Sequence, residues 1–254
     1  MTDNLRARSA TELVDAAVQL FRHNFRSILT VSAIGMAPYI ILQPFFSRMI
    51  GPDADTVAPS TGFTTLIATF VAMLWYSLAG AAIISAAAQA YRGEHVDVGR
   101  AIGDVLARPF SIIYGSIVKG LSLFLGALLF LVGIFYFYAT YFALPTTIVV
   151  EKLSGQQGVD RARQIASGFR WHALKPLMLV WFLYLIFTIG AQLLAEMVLG
   201  DENFVLASIF SSVLSIFVYP IISITEMLVY FDIRIRKEGY DVQVMASKLD
   251  PQVT

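Results

Sequence analysis

The sequence predicts an all-α, polytopic membrane protein with six transmembrane helices, and three observations carry that expectation. Of 254 residues, 57% are hydrophobic and only 14% are charged, whereas a soluble domain carries about 25% charged residues. A chain so poor in charge has too little polar surface to face water all round. Six apolar runs then fall at 27–47, 63–90, 110–132, 134–150, 176–199 and 204–231. Each lies near the roughly 17–25 residues that a helix needs to cross the hydrocarbon. Finally, Lys and Arg gather on alternate connections between these runs.

Ahead of the first run, the stretch 11–25 is amphipathic. Leu13, Ala17, Leu20 and Phe21 share one face at helical spacing, while Glu12, Asp15, Gln19 and Arg22 are polar. Asp3, Glu12 and Asp15 precede the apolar run, unlike the short basic segment of a signal peptide, so the first span is expected to be retained. The apolar sequence 110–150 is too long for one helix and is divided at Gly133, read as a tight external turn. Pro145 then sits near the inner end of the fourth span, where a kink is tolerated.

The basic residues set the direction. Arg6, Arg8, Arg22, Arg26, Arg92, Arg100, Arg108, Lys152, Arg161, Arg163, Arg170, Lys175, Arg234, Arg236, Lys237 and Lys248 fall in the two tails and in the second and fourth loops. The opposite side holds Arg48 with Asp53, Asp55, Asp201 and Glu202. The expected arrangement is a multi-pass protein of the cytoplasmic (inner) membrane with both termini cytoplasmic. Spans and interfacial helices are read as one domain, 1–242, followed by a C-terminal tail, 243–254.

Three cytoplasmic interfacial helices are expected, near 11–25, 98–109 and 158–170, each leading into an odd-numbered span. Their openings are alike: Val14-Asp15-Ala16-Ala17, Val98-Gly99-Arg100-Ala101 and Val159-Asp160-Arg161-Ala162. One reading is a threefold repeat of interfacial helix plus transmembrane hairpin. The other is that juxtamembrane helices are commonly amphipathic without any repetition.

Two charges lie at membrane depth. Lys119 is about ten residues into the third span, roughly 15 Å deep, and Glu226 lies on the sixth. Glu196, near the outer end of the fifth span, is expected to reach headgroups or water. Ser111, Gly115, Lys119, Ser122 and Gly126 form one stripe of helical period, and Ser208, Ser212, Ser215, Tyr219, Ser223, Glu226 and Tyr230 form another. Small and polar residues of this kind line helix contacts in membranes. The opposite charges predict that spans three and six pack together, with Lys119 reaching Glu226. This intramembrane pair is read either as a structural fastening or as part of a substrate or proton path.

Other chemistry is sparse. With no cysteine there are no disulfides, thiolate ligands or Cys nucleophiles. The cluster Glu94-His95-Val96-Asp97 lacks the two-His helical spacing of a zinc hydrolase, and no phosphate loop or nucleophile elbow is present. No catalytic residue, metal site or cofactor is assigned. Net charge is zero, so nothing points to nucleic acid. Arg234, Arg236 and Lys237, in the densest charge cluster, are candidates for contact with lipid headgroups and for membrane anchoring. Asp232 can pair with Arg236 and Arg234 with Glu238, each four residues apart, and Gly239 is a plausible stop.

Three segments resemble a known family. They are Ala143-Leu144-Pro145 with Val149-Val150-Glu151, the helix near 158–170, and Tyr230-Phe231-Asp232-Ile233-Arg234-Ile235-Arg236-Lys237-Glu238-Gly239-Tyr240-Asp241. They are similar to the bacterial membrane domain attached to some glycerophosphoryl diester phosphodiesterases, and to its stand-alone relatives. The likeness covers most of the chain and departs at Gln164-Ile165-Ala166, where the family often has Trp-x-Leu. It implies a multi-helix membrane module. In that family the phosphodiesterase activity belongs to a separate soluble domain, which this chain is not expected to carry.

The first functional reading is therefore a non-catalytic scaffold or lipid-organising module. Its expected partners are the bilayer and a protein, either another chain or a second copy. A small transporter or channel using Lys119 and Glu226 is the alternative, and an intramembrane lipid-modifying enzyme a further one. A membrane-depth cavity lined by that pair would favour transport. A filled interior would favour the scaffold.

Overall fold

The computed structural model describes residues 8–50, 61–200 and 203–239. Asp53, Asp55, Asp201, Glu202, Arg6, Lys248 and the tail 243–254 lie outside them. Among the described residues there is no strand. The helices are α1 (Ala10–His23), α2 (Phe25–Ile50), α3 (Thr61–Tyr91), α4 (Val98–Leu106), α5 (Pro109–Leu128), α6 (Phe130–Tyr141), α7 (Leu144–Val150), α8 (Gly155–Ala166), α9 (Arg170–Leu199) and α10 (Phe204–Glu238). Six stretches are long and apolar enough to cross a membrane: Phe25–Leu42, Thr69–Tyr91, Pro109–Leu128, Val132–Val150, Arg170–Leu199 and Val205–Glu238. The chain is a multi-pass, all-α membrane protein.

Two boundaries differ from the sequence reading. The break after the third span falls at Leu129, not Gly133. Gly133 instead lies on α6 against Gly126 of α5, so close that a Cβ on Gly126 would come within 2.7 Å of the Gly133 carbonyl carbon. The missing side chains bring the two backbones together, and the reversal happens beyond that contact. The fourth span is also two helices, interrupted at Phe142 and Ala143. Pro145 has no N–H to offer the carbonyl of Tyr141, four residues back, so the helix cannot run straight through.

Prolines inside the other long helices leave orphan carbonyls too. Pro220 in α10 frees the carbonyl of Ile216, and the Ser32 hydroxyl of α2 donates to it at 2.8 Å. A polar side chain of α2 thus repairs the backbone of a neighbouring helix.

The residues that open α1, the close of α10 and the even-numbered loops meet at one end of the bundle, here called the basic end. The Arg8 N–H donates to Asp232 at 2.7 Å, joining the beginning of α1 to the end of α10. Arg108 donates to the Lys152 carbonyl, joining the second loop to the fourth. Three short helices occur there. α1 buries Leu13, Val14, Ala17 and Phe21; α4 buries Ala101 and Val105; α8 buries Val159, Ala162, Ile165 and Ala166. Ser9 caps α1, with its N–H donating to Glu12 at 2.7 Å, and the Ser154 N–H donates to Gln157 at 3.2 Å. α1 and α8 therefore share an opening in which the Val-Asp pair follows the capping serine at the same interval. α4 starts later, at Asp97, which accepts from the Arg100 N–H at 3.1 Å.

The core sits toward this end. Residues 79–89 of α3 and 222–233 of α10 are buried on every side, which marks central helices. α10 packs along α9, α2, α1 and α3, while α5 packs along α6, α8, α3 and α7. Spans three and six are therefore not packing neighbours along their length, contrary to the expectation from their stripes. The stripe on α10 faces α2, α3 and α9: Gly80 opposes Tyr219 and Ser223, and Tyr184 donates to Ser215 at 3.5 Å. On α5, Gly115 faces Leu144 and Ile148 of α7. A stripe identifies an inward face but not the helix that meets it.

Candidate functional site

Although α5 and α10 are not neighbours along their length, Lys119 spans the gap. Its Nζ lies 3.3 Å from Glu226 Oε1, with the ammonium 5.2 Å from the centre of the Tyr138 ring. Tyr138 on α6 donates to the same Glu226 oxygen at 2.9 Å, and the Trp181 indole on α9 donates to the Tyr138 hydroxyl. Four spans thus contribute to one chain of polar contacts, Trp181–Tyr138–Glu226–Lys119. Both charges are largely shielded from solvent. A lone charge at midplane depth costs about 2.5–3.5 kcal/mol on insertion scales, and pairing reduces that cost. A cavity of about 10 Å³ lies beside Lys119, edged by Ser77, Ser116 and Pro145, with room for about one water.

A denser cluster occupies the basic end. Arg161 of α8 is held between two carboxylates, 2.9 Å from Glu151 and 2.7 Å from Glu238. Arg234 lies across the same two, 3.5 Å from Glu151 and 2.9 Å from Glu238. The Tyr230 hydroxyl donates to Glu151. Burial disfavours the Arg161 charge, but its bonds to Glu238 and then Glu151 outweigh that and hold the guanidinium above its ordinary range. Each arginine fork spreads over two acids, so α8, the end of α7 and the end of α10 are fixed to one another. The three segments that carried the family resemblance meet at this cluster.

On the opposite face of α10, two residues from both Tyr230 and Arg234, Asp232 is buried and fully engaged. It accepts from the Arg8 N–H, from Arg236 Nε at 2.8 Å, and is 2.9 Å from His172 Nε2 of α9. Arg236 also donates to the Arg8 carbonyl at 2.8 Å. Lys237 donates to the carbonyls of Gln164 and Ser167 at the end of α8. Arg234, Arg236 and Lys237 thus contact protein groups just before α1, just after α7, and in α8 and α10. The two pairs spaced by four residues, Asp232 with Arg236 and Arg234 with Glu238, both form. Gly239 closes α10 in the left-handed conformation, φ 59°.

The remaining candidates are dispersed. Glu94 bonds Arg92 and Arg100 and is held below its ordinary carboxylate range, chiefly by the bond from Arg92. Asp97 caps α4 and, through its backbone, meets the amide of Gln89. His23 is exposed and contacts the Gln19 carbonyl at 2.8 Å. Glu196 accepts from Gln192 on its own helix at 2.6 Å. The partners that the sequence reading missed are Tyr138, Trp181, Glu151 and Arg161. Tyr138 and Trp181 carried a weak signal, since each puts a polar group into an otherwise apolar span and must find a partner there.

Comparison of the chain with family models, with curated proteins and with solved structures finds no match.

Proposed function

We propose that this chain is a non-catalytic module of the cytoplasmic membrane, with both termini cytoplasmic, that scaffolds a partner or organises lipid. The observation that carries the reading is the closure of the midplane pair. Lys119 and Glu226 face each other with Tyr138 as a third partner, and the cavity beside Lys119 holds about one water. A carrier needs both a binding space and an exchangeable partner at that depth. At the basic end, Glu151, Glu238 and Asp232 are each bonded to guanidinium groups, which makes them poor general bases for an intramembrane hydrolase. Polar side chains here fix helices to one another.

The orientation rests on the gathering of Lys and Arg at the end where the opening of α1, the close of α10 and the even-numbered loops meet. Cysteines introduced at Ser60 and Asn203 should react with an impermeant reagent in intact cells, and cysteines at Ser154 and Ser247 should not. The reverse pattern would invert the protein. The competing transport reading uses the same pair and is tested by proteoliposome flux. Wild type and the folded double variant Lys119→Met, Glu226→Gln should show the same proton and ion leak. A wild-type flux that the double variant loses would replace the scaffold with a transporter.

A further inference from the structure

A groove opens between α6 and the start of α9, at the basic end. Phe135, Tyr136, Gly168, Arg170, Trp171 and Leu174 line its volume of about 150 Å³. That is small beside a typical ligand pocket of about 300–1,000 Å³, so it suits one end of a larger molecule. Its walls are aromatic and apolar except at one place, the guanidinium of Arg170.

That guanidinium is held at one edge and open at the other. Arg170 Nε donates to Thr140 Oγ1 at 3.1 Å, and the group lies over the Tyr136 ring, 4.8 Å from its centre. Among the described residues no carboxylate pairs with it, and its two terminal nitrogens have no hydrogen-bond partner. A planar fork immobilised on its Nε side, with its outer donors unspent, is suited to bidentate binding of a phosphate. One further positive charge lies on the same helix. Lys175 is exposed one turn from Trp171 on the same face of α9. Trp171 itself is 72% exposed at the end of a membrane span, the level at which indole rings settle among headgroups.

We propose that this groove binds the phosphate of an anionic membrane phospholipid, with Arg170 as the phosphate ligand and Trp171 and Tyr136 flanking the headgroup. This rests on the lipid-organising half of the reading above and gives it a site. The acyl chains would run down the exposed apolar surface of α9, where Phe182, Leu185 and Ile186 face outward. A free anion would gain nothing from that surface or from the aromatic walls, so the lipid is the favoured occupant.

The test uses the full chain in detergent, stripped of lipid and titrated with phosphatidylglycerol or phosphatidylcholine, with retained lipid read by native mass spectrometry. Wild type should retain phosphatidylglycerol preferentially. Arg170→Gln should weaken that retention about tenfold, the scale of losing a charge-assisted fork. Trp171→Ala removes a wall from an exposed position, so it should fold even if Arg170→Gln does not, and it should weaken retention as well. Arg22→Gln, at an exposed arginine outside the groove, should leave it unchanged. Competition by millimolar inorganic phosphate would identify a free-anion site and overturn the lipid assignment. An anionic preference unchanged by the groove variants but lost in Arg22→Gln would move the site elsewhere while leaving the lipid-organising reading intact. Equal retention of both lipids by wild type would remove both together.

Discussion

Toward the basic end, α3 and α10 are enclosed on all sides by other helices; toward the far end the same two helices turn Ile67, Phe70, Val71, Leu206, Phe210 and Phe217 outward. α9 shows the same gradient, with Ala173, Leu174, Leu177 and Val180 buried near its start and Leu193, Met197 and Val198 exposed near its close. Lipid is as apolar as leucine, so burying leucine does not drive helices together in the hydrocarbon. The far half therefore relies on close packing of small residues, as where Gly126 meets Gly133, and on scattered hydrogen bonds such as Ser211 to Gln192 at 2.7 Å. Nearer water, the basic end adds ion pairs, capped short helices and a packed core. The difference teaches that the membrane-crossing part is not the part in which most of this molecule's specific polar contacts reside.

The comparison breaks first, and most severely, at Arg161. Replacing it with alanine leaves Glu151 and Glu238 facing each other with only Arg234 between them. The group is half-buried and Arg234 stays paired with both acids, so the expected loss is about 2–4 kcal/mol, between a surface ion pair and a fully buried one, read as a lowered denaturation midpoint in detergent. A loss below about 1 kcal/mol, the level of a surface ion pair, would mean that the basic end is not braced as described. A smaller effect is expected in the far half. Gly126→Ala places a methyl against the Gly133 backbone, and overpacking of that kind costs about 1–3 kcal/mol. A neutral result would show that α5 and α6 can separate freely. Smaller still is Ser32→Ala, which leaves the Ile216 carbonyl opposite Pro220 without its donor. Hydrogen bonds between membrane helices average about 0.6 kcal/mol, and a change of that size in thermal stability is expected.

Features governed by local sequence were legible in advance. Six spans follow from six apolar runs, and the pairs Asp232 with Arg236 and Arg234 with Glu238 follow from spacing on one helix, as does the stop at Gly239. Features that depend on which helix meets which were not. Gly133 looked like a turn because glycine permits turns, yet the same lack of a side chain serves contact between helices. The stripes on spans three and six gave their inward faces correctly but not their neighbours. Glu151 and Arg161 lie ten residues apart, but Glu238 joins them from 77 residues further along the chain, and neither segment announces the meeting. The groove at Arg170 was hidden for the same reason, since Tyr136 and Trp171 come from different spans.

The central claim is that polar groups inside this bundle fasten helices, and the Lys119–Glu226 pair tests it most directly. Thermal stability in detergent is compared for Lys119→Met, Glu226→Gln and the double variant. Each single change strands the opposite charge among Tyr138 and apolar neighbours, so the double variant should lose less than the sum of the two, by about 1 kcal/mol or more. Losses that simply add would show that the two residues do not stabilise one another, and would contradict the account.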